Sequence, residues 1–328
     1  MLNKNDRDIL DKINSWLPDR IFDAHAHIYN TDHLTTSRHP CNLYGTVTST
    51  RLMNNQHEIY GDRQFRAMMI PMPDASFTDR KKRDLVNAWV VEQLEAEPAC
   101  VAEVYVMPGD TTEDIEAMLV HPRIRGFKCY RHTSTHEGNN FESDLWEYLP
   151  ESVWQVANKH SLCITVHLVK DAALSDPDNL AHIKEMTARY PNAKLILAHC
   201  ARGFAAWTVM EAARELKGID NIYYDTAAVC ESNAIFEVIR QAGADHVLWG
   251  TDYPIDRNHG KPITCGTNFH WMYKKNMINP DACPVALITI ESLFAMYQAC
   301  LMLDATKEDV ENIFYNNAIK LFQCDDLS

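Results

Sequence analysis

Eight short stretches of almost uninterrupted apolar residues recur along the chain, at 21–27, 65–71, 100–107, 124–130, 162–168, 194–199, 221–226 and 246–251. Leu-Cys-Ile-Thr-Val in the fifth and Lys-Leu-Ile-Leu-Ala in the sixth are typical. Such runs suit parallel strands buried on both faces, where no side chain meets water. Between them the spacing turns helical. The segment 79–97 sets Leu85, Trp89 and Leu94 against charged neighbours, and 144–160 carries Leu145, Leu149, Val153 and Val156. The segments 179–190 and 204–217 behave alike, the latter ending at Gly218, a suitable C-cap. Strand and helix alternating about eight times predict a (β/α)₈ TIM barrel of the α/β class. An open doubly wound sheet is the rival arrangement.

Some pieces exceed a minimal barrel. Residues 4–18 predict an amphipathic helix that leads into the first strand. Two long excursions follow, 30–64 between the first and second strands and 252–288 after the eighth. Helices are expected near 289–303 and 306–322, the second opening with Thr306 and Asp309 at capping-box spacing. Long βα excursions gather at the C-terminal mouth of a barrel, where they build a substrate pocket. No linker or repeat divides the chain, so one domain is expected over 1–328, with a barrel core at about 20–288 and C-terminal helices at 289–323.

Composition narrows the function classes. With 46% hydrophobic residues the chain can bury a large core. A net charge of −14 argues against nucleic-acid binding. It leaves room for an anionic small molecule, because a cation and a few arginines can reverse the potential of one pocket. No apolar run reaches the roughly 18 residues that span a bilayer, so no membrane partner is expected. The ten cysteines, among them Cys41, Cys100, Cys163 and Cys230, form no CxxC pair, and no secretory signal precedes the first helix. Reduced, mostly buried thiols in a cytoplasmic protein are the expectation.

The chemistry concentrates at the ends of the apolar runs. Phe22-Asp23-Ala24-His25-Ala26-His27 ends the first, and residues two apart on a strand face the same side, so His25 and His27 can aim at one ion. An HxH pair alone arises readily in a chain with 15 histidines. Lys128 closes the fourth run, His167 the fifth, His199 the sixth and Asp252 the eighth. A single polar residue at a strand end is as readily structural as catalytic. Six at one barrel mouth, where burying a charge is costly, point to a metal-dependent site.

This pattern resembles the amidohydrolase superfamily. The Phe-Asp-Ala-His-Ala-His opening, Gly-Thr-Asp-Tyr-Pro at 250–254 and Asn-Ile-Phe-Tyr-Asn-Asn-Ala-Ile-Lys-Leu-Phe at 312–322 are similar to its amidohydrolase-related branch. That branch also holds the aminocarboxymuconate-semialdehyde decarboxylase group. The resemblance implies metal binding by His25, His27, His167 and Asp252, with Asp252 also taking a proton from water. It implies that His199 contacts substrate or a second metal, and that Lys128 either stays an ammonium or, carbamylated, bridges two metals. Zn²⁺, Mn²⁺ or another divalent ion is implied, one per chain, or two if Lys128 bridges. Imidazole and carboxylate ligands suit Zn²⁺, which lowers the pKa of a bound water to about 7.

Arg51 in the first excursion, Arg131 after the fourth run and Arg202 in His-Cys-Ala-Arg-Gly-Phe are candidate anchors for a substrate carboxylate. Each is otherwise an ordinary ion-pair arginine. Glu103, inside the third run, must face the mouth or pair with a base if buried. The expected activity is metal-dependent hydrolysis of an ester, lactone or amide in a small carboxylated metabolite. Non-oxidative decarboxylation is the alternative, and a non-catalytic binding barrel a third. A homo-oligomer is expected by analogy alone.

Overall fold

The computed structural model describes residues 2–35, 44–280 and 284–324. All eight apolar runs form strands: β1 Arg20–Ile28, β2 Gln64–Pro71, β3 Cys100–Tyr105, β4 Ile124–Cys129, β5 Cys163–Val166, β6 Lys194–Leu197, β7 Ile222–Asp225 and β8 Val247–Leu248. Each pairs in parallel with the next. The ring closes just beyond β8. There the backbone N–H groups of Ala24, Asp252 and His27 donate to the carbonyls of Trp249, His25 and Tyr253, all at 2.8 Å. The fold is a (β/α)₈ TIM barrel.

The C-terminal end of the chain plugs the floor. Tyr315, Ala318, Leu321 and Phe322 pack under Phe22, Met68, Val101 and Leu248 inside the barrel, and Phe22 and Phe322 lie 5.4 Å apart between ring centroids. Access is therefore from the opposite mouth.

Several elements differ in detail from the sequence reading. In the helix Arg80–Ala96 the buried face is Val86, Trp89, Val90 and Leu94, whereas Leu85 is 53% exposed. Trp89 and Leu94 face the core as expected, and Val86 takes the place expected of Leu85. The expected helix over 144–160 is divided: a 3₁₀ turn at Leu145–Glu147 stops at Tyr148, and the helix Glu151–His160 starts after Pro150. The 306–322 segment opens with the expected Thr306–Asp309 capping box but passes through a π turn at Asn312–Asn316. Inside the first excursion lies a helix, Ser49–Tyr60, and the second holds an antiparallel hairpin, β9 Gly260–Cys265 and β10 Asn268–Tyr273.

No described helix is long and apolar enough to cross a membrane. Among the described residues seven cysteines are buried and free, and Cys265 is exposed. Cys41 lies outside the described residues.

Candidate metal centre

β1 carries a bulge between Asp23 and Ala26, the kind of irregularity that re-aims side chains beside an active site. Asp23 anchors it by accepting from the His25 N–H (3.1 Å), the Thr251 N–H (2.9 Å) and the Thr251 hydroxyl (2.5 Å). The ring of His25 reaches the barrel axis because Gly250 leaves room: a Cβ there would stand 3.0 Å from the Cβ of His25. The Nε2 atoms of His25 and His27 then lie 3.3 Å apart. Asp252 Oδ1 is 3.2 Å from His27 Nε2 and 3.8 Å from His25 Nε2.

Second partners fix how the imidazoles present themselves. His25 Nδ1 stands 2.8 Å from Asp225 Oδ2, at the end of β7. His199 Nδ1 stands 2.8 Å from the Ala227 carbonyl. A carbonyl or carboxylate can only accept, so both Nδ1 atoms carry the proton and both Nε2 atoms offer a lone pair. Burial pushes His25, His199 and His167 below the usual histidine range, which keeps them neutral. Burial alone would raise Asp225, but hydrogen bonds from the His25 ring and the His199 backbone N–H help to hold that carboxyl below its ordinary value. Neutral, oriented imidazoles converging on a carboxylate are what a divalent cation requires.

His25, His199 and Asp252 bring one ligand atom each within 4.8 Å of one another and could hold a metal ion. His27 abuts the same cluster through His25 and Asp252. His167 stands one ring farther out, its centroid 4.8 Å from that of His199. The structure thus gathers all four sequence-predicted ligands at one mouth, with His199 nearer to His25 and Asp252 than its expected role implied.

His199 depends on an unusual backbone. His199, Cys200, Ala201 and Arg202 all have φ between 50 and 61°, and the Gly203 N–H bonds the His199 carbonyl. This is one turn of left-handed helix made without glycine. It is anchored where the His199 N–H donates to Asp225 Oδ1 at 2.9 Å.

Above the cluster opens a cavity of ≈ 330 Å³, within the usual range for small-ligand sites. Lys128, Arg131 and Arg202 line it, together with Phe269, Trp271 and Tyr273 of the hairpin. Arg131 lies over the Phe141 ring at 3.6 Å and donates to Asn140 Oδ1, and Arg202 donates to the Lys170 carbonyl. Arg51 is not among the described residues that line this cavity. Its guanidinium donates to the Thr46 carbonyl within the first excursion, at the start of the helix Ser49–Tyr60.

Sequence reasoning missed Asp225 and the hairpin aromatics. Asp225 closes the seventh apolar run as Lys128 closes the fourth, so the same strand-end signal marked it. Asp225→Asn is expected to weaken metal affinity roughly 10–100-fold, because a metal-bound histidine loses its orienting acceptor. Competition with a chromogenic chelator measures this, and unchanged affinity would remove Asp225 from the site.

The family model described as Amidohydrolase matches residues 22–324, and the chain belongs to that family. No curated protein matches the chain. Among solved structures, a zinc-bound amidohydrolase from Burkholderia multivorans is 12% identical with a TM-score of 0.61, covering 93% of this chain and 99% of that one. The 2,6-dihydroxybenzoate decarboxylase from Rhizobium is 16% identical, TM-score 0.59, with the same coverages. A "probable 2-pyrone-4,6-dicarboxylic acid hydrolase" from Acinetobacter baumannii with citric acid bound is 11% identical, TM-score 0.59, again covering 93% and 99%.

Proposed function

We propose that the protein is a metal-dependent hydrolase of a small, cyclic, carboxylate-bearing substrate, with Asp252 as the base. The observation that carries this reading is the place of the Asp252 carboxylate. It touches the histidine cluster on one side and faces, on the other, a cavity holding Lys128, Arg131 and Arg202. His25, His27 and Asp252, completed by His167 or His199, would hold one Zn²⁺ or Mn²⁺ per chain; when bound, the ion supplies Lewis acidity to the substrate oxygen and to a nearby water.

The residues do the rest. Asp252 takes the proton of the attacking water and returns it to the leaving oxygen. Lys128 and His199 flank the oxygen on which negative charge develops. Arg131 and Arg202, each tied down by one hydrogen bond, keep further N–H groups for a substrate carboxylate. Phe269, Trp271 and Tyr273 wall the cavity on one side and exclude water.

Those aromatic walls also favour a second reading, non-oxidative decarboxylation of a planar aromatic acid, in which Asp252 would protonate the ring carbon. The two separate by product. Metal-loaded protein given carboxylated lactones and pyrones, and in parallel hydroxybenzoates, is expected to release acid from the former with no CO₂. Isotopic CO₂ from the latter, without hydrolysis, would overturn the hydrolase. On the active substrate Arg202→Met is expected to raise KM roughly 10–100-fold with a smaller change in kcat, the worth of one charged hydrogen-bond pair. Steady-state kinetics check the split, and an unchanged KM would release Arg202 from substrate binding.

A further inference from the structure

Lys170 follows β5 in the loop beyond His167 and is not among the described residues that line the cavity. Its side chain is 14% exposed, and its ammonium joins two carboxylates, Asp144 Oδ1 at 2.5 Å and Asp176 Oδ1 at 3.1 Å. Asp178 Oδ2 stands farther off, at 4.0 Å. A lone exposed ion pair contributes little, whereas several charges tied into one network contribute more. Burial alone would lower the Lys170 ammonium, but the hydrogen bonds it donates to Asp144 and Asp176 hold it above its ordinary value.

The two acids come from different loops. Asp144 lies after β4 and opens the 3₁₀ turn Leu145–Glu147, and Asp176 lies after β5 and caps the helix Pro177–Arg189. The backbone of Lys170 adds further ties. Its N–H donates to the Phe141 carbonyl at 2.7 Å, and its carbonyl accepts Arg202 Nη1 at 2.6 Å and the Ala173 N–H at 3.2 Å. Lys170 has φ 58°, a strained conformation for a residue with a Cβ, which persists where the surroundings over-determine it.

Both cavity arginines after β4 and β6 lead back to this residue. Arg202 is held by the Lys170 carbonyl directly. Arg131 is one step removed: its guanidinium lies 3.6 Å over the Phe141 ring and donates to Asn140 Oδ1 at 2.5 Å, and both partners sit in the turn Asn140–Glu142. Phe141 is 47% exposed, so burial does little to fix it, and the backbone bond to Lys170 ties its turn to the neighbouring loop.

We propose that Lys170 is a positioning residue that fixes Arg131 and Arg202 against each other as one carboxylate-recognising unit. A guanidinium grips a carboxylate through a planar fork of N–H groups, so its orientation decides how well it binds. The inference rests on the proposed function for what the unit binds, but the coupling of the two arginines needs no substrate.

The test reads the arginines directly in the full chain, as purified and without substrate, by ¹⁵N relaxation of the Nε–H groups. Arg131→Lys and Arg202→Lys assign the two signals by their loss. Wild-type protein is expected to show both guanidinium groups ordered, and Lys170→Met should loosen both together. Lys184→Met, which breaks the exposed pair with Glu215, should loosen neither. If Lys170→Met does not fold, Asp144→Asn combined with Asp176→Asn removes both charges, keeps a side-chain oxygen at each cap, and carries the comparison. Loosening of one guanidinium alone, or of neither, would overturn the proposal. On the active substrate Lys170→Met should raise KM roughly 10-fold with a smaller change in kcat. Arg202→Met should then cost less in the Lys170→Met background than in wild type, because residues acting as a unit are not additive. Full additivity would also overturn the coupling. Failure of the relaxation test with hydrolysis intact discards this inference alone, and loss of the hydrolase reading would leave the relaxation result unchanged.

Discussion

Asp252→Asn is expected to lower kcat roughly 10²–10⁴-fold, the usual contribution of a general base, while most of the metal stays bound. Asparagine keeps an oxygen in the position of Oδ1, which lies 3.2 Å from His27 Nε2 and 3.8 Å from His25 Nε2, so the cluster is preserved. What it loses is the capacity to accept and return a proton. The backbone tolerates the exchange: Asp252 has φ 63°, a conformation that asparagine adopts at least as readily as aspartate. Burial raises the Asp252 carboxyl pKa, and its neighbours His199, His25 and Lys128 draw it part of the way back. Turnover measured beside metal content by elemental analysis decides the role. Near-full activity would remove Asp252 as base, and loss of metal together with activity would make it a ligand first.

His25→Ala should fail differently, losing both metal and turnover. The His25 ring is the hub of the cluster, touching His27 and Asp252 through Nε2 and Asp225 through Nδ1. Its removal deletes one ligand and also strands the buried Asp225, whose Oδ2 loses its imidazole donor. An unsatisfied buried acceptor costs about 1–3 kcal/mol, more when charged, so the metal-free variant should also unfold at lower denaturant concentration than metal-free wild type. Metal equivalents per chain and urea titrations of the two apo proteins measure both effects. A variant that retained stoichiometric metal would place the ion elsewhere.

Much of this was legible in the sequence because burial on both faces leaves a plain signature. Strands such as Cys163–Val166 and Lys194–Leu197 are shielded throughout, so their apolar runs stand out from the polar loops around them. The same logic exposed the polar residues that terminate those runs, and the barrel then brought His25, His27, His167, His199 and Asp252 to one mouth. What stayed hidden was decided by packing between distant segments. The helix Ser49–Tyr60 is largely polar and inserts only a few residues, Leu52 and Ile59 among them, so it reads as a loop. The hairpin turns at Gly266-Thr267, a glycine-first two-residue turn that was present in the sequence but lacks alternating strands around it. The left-handed turn had no local sign at all, since Gly203 is the first glycine after it begins.

That turn inverts a routine rule of protein stabilisation. Exchanging alanine for glycine inside a right-handed helix loses about 1 kcal/mol. At Ala201, held at φ 57° and ψ 45°, the methyl group is the source of strain, and relief of about 1–2 kcal/mol opposes the entropy that glycine adds to the unfolded chain. The exchange there should be neutral or slightly favourable. A thermostability campaign that fills every helix-like position with alanine would therefore find nothing to gain between residues 199 and 202. Relaxing the same turn would instead give His199 freedom to swing away from its carbonyl anchor. At this corner of the barrel, robustness and catalytic alignment pull in opposite directions.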